Sequence, residues 1–233
     1  MNMIPKSEVF NIDCMEALRQ TPDKFYKLAI VDPEYGIGEH GGKCRGNPKR
    51  PSYELRKKVA KYEKKDWDNE RPSPEYFKEL FRVSVNQIIW GANYFTDYLP
   101  PSMGWIFWDK MFEKQVFSDG EFAYTSFKRA AKQFTMSSKA ETQGGLLRIH
   151  PTQKPVALYE WLLKNYAQKG DNILDTHMGS QSSRIAAYKL GFDFTGYEID
   201  ADYFKEGNER FKDAVSMPLF DKPVYVPQQL VLV

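Results

Sequence analysis

Asp32-Pro33-Glu34-Tyr35 closes an apolar run from Leu28 to Val31, placing a carboxylate, a rigid peptide and an aromatic ring at one strand end. A carboxylate beside a peptide carbonyl offers two acceptors, one for each N–H of a primary amine. Tyr35 adds a flat ring on which a planar partner can stack. Far along the chain, Asp175-Thr176-His177-Met178-Gly179-Ser180 closes a second apolar run and opens a helical pattern. Gly179 lets backbone pass close to a ligand, and Ser180, Gln181 and Ser182 offer amides and side-chain oxygens at a helix start. Glu198 ends the next strand about twenty residues on, where an acid can accept from both hydroxyls of a ribose. Each feature alone is weak. An Asp-Pro turn arises by chance, and a glycine turn with a downstream acid suits a dinucleotide fold equally well.

His150-Pro151-Thr152-Gln153-Lys154-Pro155 makes the pattern specific. It matches, residue for residue, a signature of the β group of DNA amino-methyltransferases. Asp175-x-x-x-Gly179-Ser180 and Phe194-Thr195-Gly196-Tyr197-Glu198 resemble that family's cofactor loop and ribose strand, and the resemblance covers roughly residues 8 to 213. It implies S-adenosylmethionine as cofactor. Thr152, Lys154 and Pro155 would line its methionine end, with Lys154 near the carboxylate. Asp175 and Gly179, with Ser180, would lie under the methionine and sugar, and Glu198 would hold the ribose. Asp13 and Cys14 resemble the adenine-ring contacts, although Asp13 reads equally as a helix cap. Asp32 and the Pro33 carbonyl would accept the N–H bonds of an exocyclic amine. Tyr35 would stack on a base turned out of the duplex.

Three departures from the family pattern stand out. Glu34 replaces a proline, His177 replaces a phenylalanine and Gln181 replaces a glycine. Neither expected acceptor belongs to position 34, so both survive the first change. His177 reads as a stand-in lid over the ligand or as a plain loop histidine. Gln181 should restrict the turn. In the middle segment, Tyr94 or Phe95 is a candidate for the base pocket, whereas Trp105, Phe107 and Trp108 at strand spacing read as core.

The elements that must position these groups alternate. Strand patterns at Glu8–Ile12, Leu28–Val31, Gln87–Trp90, Trp105–Trp108, Phe122–Thr125, Asn172–Asp175 and Phe194–Tyr197 interleave with helices at Met15–Arg19, Ser73–Val83, Val156–Gln168, Ser182–Leu190 and Ala201–Ala214. This implies an α/β, Rossmann-like methyltransferase fold: a mostly parallel central sheet with one antiparallel strand. Its motif order is permuted, the catalytic motif preceding the cofactor loop. One domain, 1–215, is expected to carry insertions at about 36–71 and 128–148, followed by an irregular tail at 216–233. A helix near Tyr53–Tyr62 is expected within the first insertion.

The chain has 233 residues, 42% of them hydrophobic, enough for a core without cross-links. Its two cysteines, Cys14 and Cys44, lack metal-ligand spacing, which argues against a metal site or a disulfide framework. With no membrane-length apolar run, the expected setting is soluble and cytoplasmic. Net charge is only +2, yet ten basic residues against two acidic ones lie between Lys43 and Lys65. Lys43, Arg45, Lys49, Arg50, Arg56, Lys57 and Lys58 in this block are expected to contact the phosphates of double-stranded DNA; a solvated basic face is the plain alternative. Gln229-Leu230-Val231-Leu232-Val233 loosely resembles peptides that dock on bacterial sliding clamps, with an irregular terminus as the alternative.

The expected activity is therefore transfer of a methyl group to an exocyclic amino nitrogen in DNA, by a monomer or homodimer. Adenine N6 is preferred because aspartate opens the motif where many cytosine enzymes have serine. The alternatives are a cytosine N4 enzyme, a catalytically silent DNA-binding relative, or a nicotinamide-dependent enzyme on a similar sheet.

Overall fold

The computed structural model describes residues 4–38, 68–111, 118–137, 149–150 and 152–216. In chain order these form β1 (Ser7–Phe10), α1 (Cys14–Gln20), β2 (Tyr26–Val31), α2 (Pro74–Val83) and β3 (Ser84–Trp90). Next come β4 (Ile106–Asp109), β5 (Gly120–Thr125), β6 (Lys132–Thr135) and α3 (Val156–Tyr166). The last four are β7 (Asn172–Asp175), α4 (Ser182–Leu190), β8 (Asp193–Tyr197) and α5 (Ala201–Ser216). The strands make one sheet in the order β1-β8-β7-β2-β3-β5-β4-β6. Every pairing is parallel except those of β5 with β3 and β4, so a single strand runs against the rest.

The sequence makes β2 the centre of this sheet. Leu28 and Ile30 point into one apolar cluster with α3 and α4, while Ala29 and Val31 point into the other with α1 and α2. A strand apolar on both faces must be covered on both sides, as doubly wound α/β sheets require. The helices start where the sequence places caps. Ser73 accepts from the Tyr76 N–H ahead of Pro74, and Asp200 accepts from the N–H groups of Asp202 and Tyr203. Among the described residues, no helix is long and apolar enough to cross a membrane.

One element departs from expectation. Within the stretch 128–148, residues 132–135 pair in parallel with β4 as β6 instead of looping outward. Only Phe134 of this edge strand is even partly buried, packing against Trp161 with ring centroids 5.5 Å apart. Backbone pairing to an open edge therefore defines β6, and that leaves almost no hydrophobic signature. The basic block, the helix expected near Tyr53–Tyr62 and the clamp-like tail lie outside the described residues.

Candidate active site

Adjacent parallel strands bring the two distant motifs together. Ala29 of β2 pairs with Leu174 of β7, so Asp32 and Asp175 leave neighbouring strand ends at the same edge of the sheet. On the far side of β7, β8 ends at Tyr197, beside Phe10 of β1. The carboxyl ends of four adjacent parallel strands thus line one crevice, the place where open α/β sheets bind ligands.

Asp32 is held from two sides. The Tyr35 hydroxyl donates to its Oδ1 at 2.6 Å, and the Lys154 ammonium donates to Oδ2 at 2.5 Å. Lys154 also lies 3.2 Å from the Tyr35 oxygen and 2.9 Å from Glu121 Oε2, and its side chain is only 2% exposed. Glu121 in turn pairs with Lys110. The result is a partly buried chain of two carboxylates and two ammonium groups running from β2 to β5, with Lys154 fully enclosed at its centre. Burial alone would raise the Glu121 carboxyl, but Lys154 and Lys110 overcome it and hold the group down to about 2. Burial pulls the Lys154 ammonium down, and Asp32 and Glu121 more than offset that pull. Burial also pushes the Tyr35 phenol well above its ordinary value, with Asp32 and Glu121 adding to the effect, so it stays a donor.

Lys154 was expected beside the cofactor carboxylate. The structure directs its ammonium onto Asp32 and Glu121, two partly buried acids that compensate its own burial. Glu121 and Lys110 escaped the sequence reading as site residues. The available signal was a charged residue inside an otherwise apolar strand, since such residues are seldom buried unless paired.

Tyr35 stacks on Tyr94 with centroids 5.1 Å apart and planes 17° from parallel. Its ring passes so close to Gly91 that a Cβ there would lie 2.1 Å from the ring carbon Cε1. Of the two pocket candidates, Tyr94 is 39% exposed whereas Phe95 is fully buried, so Phe95 is core. Trp108 is likewise core.

The cofactor-loop residues surround the end of β7. Asp175 accepts from Ser183 Oγ through Oδ2 and from the His177 N–H through Oδ1. Burial raises its carboxyl to about 6 against those two donors. Glu198 accepts from the N–H of Gly179 at 2.8 Å and of Asp200 at 2.9 Å, and burial raises its carboxyl as well. The motif around Lys154 reaches the same loop. The His150 ring lies over the Gly179 Cα, packs edge-on against Tyr203, and its Nδ1 meets the Thr152 hydroxyl at 3.1 Å. Pro155 starts α3, and the Ser180 carbonyl accepts from Arg210.

Asp13 caps α1 through the Met15 N–H, and Cys14 is buried behind it with its thiol pushed up to about 12, chiefly by burial. Gln181 takes a left-handed backbone, the conformation a glycine adopts without strain, at φ 59°. Its side chain accepts from Arg184 and lies against Gly207, where a Cβ would come within 2.7 Å. Restriction of the turn is thus absorbed by a side-chain anchor between α4 and α5. His177 Nε2 lies 3.3 Å from Glu34 Oε2, joining the loop after β2 directly to the loop after β7.

A doubly wound sheet with acids at the carboxyl ends of β2, β7 and β8 defines the class as a Rossmann-like methyltransferase fold. A family model described as DNA methylase matches residues 45–209, well over half of the chain. The chain belongs to this N6/N4 DNA methylase family. It is 26% identical over 152 residues to the type II methyltransferase M2.DpnII of Streptococcus pneumoniae, covering 63% of this chain and 49% of that one. The chain spans about half the length of the curated relatives it matches. Its fold resembles the crystal structure of an M1.HpyAVI–SAM complex, with a TM-score of 0.57 at 16% identity over 87% of this chain and 98% of that one. It also resembles the cytosine-N4-specific PvuII DNA methyltransferase, with a TM-score of 0.57 at 11% identity over 91% of each chain.

Proposed function

We propose that the chain transfers the methyl group of S-adenosylmethionine to the exocyclic amino nitrogen of a base flipped out of double-stranded DNA, with adenine N6 as the preferred target. The observation that carries this reading is the convergence of Asp32 and the Asp175–Ser180 loop at adjacent strand ends.

The residues present fit the cofactor. Glu198 is an acceptor-only group at a strand end, each of its oxygens bonded to a single backbone N–H, with lone pairs left for ribose hydroxyls. Gly179 bears no side chain to fill the space beneath His150. Asp175 and His177 border the same turn, while Asp13 and Cys14 stand at the neighbouring β1 end. Bound there, the cofactor supplies an electrophilic methyl group on a sulfonium.

An exocyclic amine is a poor nucleophile because its lone pair is delocalised into the ring. Asp32 accepts one N–H and the Pro33 carbonyl the other, favouring the pyramidal nitrogen and aligning its lone pair with the methyl group. Both Asp32 oxygens already have donors, and each retains a lone pair for the amine. Lys154 stays charged and balances the carboxylate within the buried site. Tyr35 keeps its proton and orients Asp32, while Tyr94, exposed against the Tyr35 ring, offers a stacking face for the base.

Aspartate at the head of the motif supports N6 over N4. Likeness to M2.DpnII, a type II methyltransferase, supports a role in restriction–modification. Lys43, Arg45, Lys49, Arg50, Arg56, Lys57 and Lys58 supply the charge for phosphate contacts.

Radiolabelled methyl transfer to mixed-sequence DNA, followed by nucleoside analysis of the product, tests the proposal. The intact chain should label adenine, and Asp32→Ala should lower the rate by about a hundredfold or more without changing the far-UV circular dichroism. Undiminished labelling by Asp32→Ala, or no labelling by the intact chain, would sink it; labelled cytosine would select N4.

A further inference from the structure

Two departures from the family pattern, Glu34 and His177, lie in different loops and meet. Nε2 of His177 is 3.3 Å from Oε2 of Glu34, with the two side chains 23% and 30% exposed. The imidazole is held from behind. Its Nδ1 lies 2.9 Å from the Thr176 hydroxyl, which in turn lies 2.7 Å from the Tyr76 hydroxyl of α2. Its ring stands edge-on to the Tyr76 ring with centroids 5.2 Å apart, and its backbone N–H donates to Asp175. One ring nitrogen therefore remains, and it faces Glu34.

The catalytic loop is fastened just beyond that point. The N–H groups of Tyr35 and Gly36 both donate to Asp68 Oδ1, at 2.7 and 2.8 Å. Asp68 thus secures one side of the loop and His177 the other. The Pro33–Glu34 peptide, whose carbonyl is an expected acceptor for the target amine, sits between Asp32 and the tethered Glu34.

We infer that Glu34 and His177 form a positioning clasp, which fixes the direction of the Pro33 carbonyl relative to the cofactor loop. A contact between the loops replaces the ring stiffness that proline gives a single loop. The clasp rests on the methyl-transfer reading above. Both members are positioning residues, because they act on the loops that carry the reacting groups.

A double-mutant cycle tests the clasp: kcat and KM for DNA are measured for the intact chain, Glu34→Ala, His177→Ala and the double variant. Each single change should lower kcat by about fivefold to tenfold with little change in KM, since the geometry matters most in the transition state. The double variant should lose no more than the worse single variant. Losses that multiply, to roughly 25-fold to 100-fold, overturn the clasp, as does a rise in KM at constant kcat. If the alanine variants do not fold, Glu34→Gln and His177→Phe complete the same cycle. An intact chain with no activity counts against the methyl-transfer reading instead. The cycle is then read on melting temperature, where non-additive losses support the clasp and additive losses overturn it.

Discussion

Asp175 is 1% exposed and cannot leave its site, since it ends β7 and braces the turn through Ser183 and His177. Its folded value of about 6 stands above the ordinary 3.8, so folding favours the protonated form. The resulting stabilisation is complete below about pH 4 and is lost as pH rises through about 6; above that, the charged carboxylate costs stability. Asp175→Asn keeps the acceptor for His177 and removes the charge. It should raise stability at pH 8 by about 1–2 kcal/mol and flatten the dependence between pH 4 and 6, measured by urea denaturation. The same variant should bind S-adenosylhomocysteine more weakly. An unchanged pH slope would show that burial does not strain this carboxylate.

At the scale of elements, the junction between β3 and the catalytic loop is the tightest fit in the site. Gly91 sits at φ 66°, and any side chain there would strike the Tyr35 ring. Gly91→Ala should therefore cost about 2–3 kcal/mol from left-handed strain and displacement of the ring, and slow methyl transfer by turning the hydroxyl from Asp32. Adding Tyr35→Ala removes the clash and should restore part of the stability but none of the activity. Chemical denaturation of the single and double variants reads this directly.

The same scale shows what was legible. Strands β2, β7 and β8 and helices α2, α4 and α5 start or end where caps, glycines and apolar runs mark them, within about two residues at most ends. β2 begins at Tyr26, earlier than its apolar run, because exposed Lys27 interrupts the pattern. β6 was invisible because backbone pairing with the β4 edge defines it and Phe134 alone packs inward.

For the whole molecule, the strand order places the ligand crevice. A crevice built from the ends of β1, β8, β7 and β2 suits a methyl donor on the proposed reading, whereas a nicotinamide enzyme would answer to a dinucleotide. S-adenosylhomocysteine at about a hundred times its Kd should stabilise the chain by about 2.7 kcal/mol, raising Tm by about 5–10 °C. A shift with NAD and none with S-adenosylhomocysteine would reverse the choice.

The sequence by itself determined the chemistry on offer: the acid-proline pair, the six-residue signature, the glycine turn and the acid after β8 are local patterns of residue type and spacing. Asp13 shows the limit of such patterns, because cap and ligand contact look alike in sequence, and the structure shows the cap. Only the tertiary structure decided that Lys154 turns to Asp32 and Glu121, and that Glu34 meets His177. Those partners are 122 and 143 residues apart for Asp32–Lys154 and Glu34–His177 respectively. A buried charge, or a ring nitrogen in a partly enclosed site, is satisfied by whatever the fold brings within reach, and no local spacing encodes that distance.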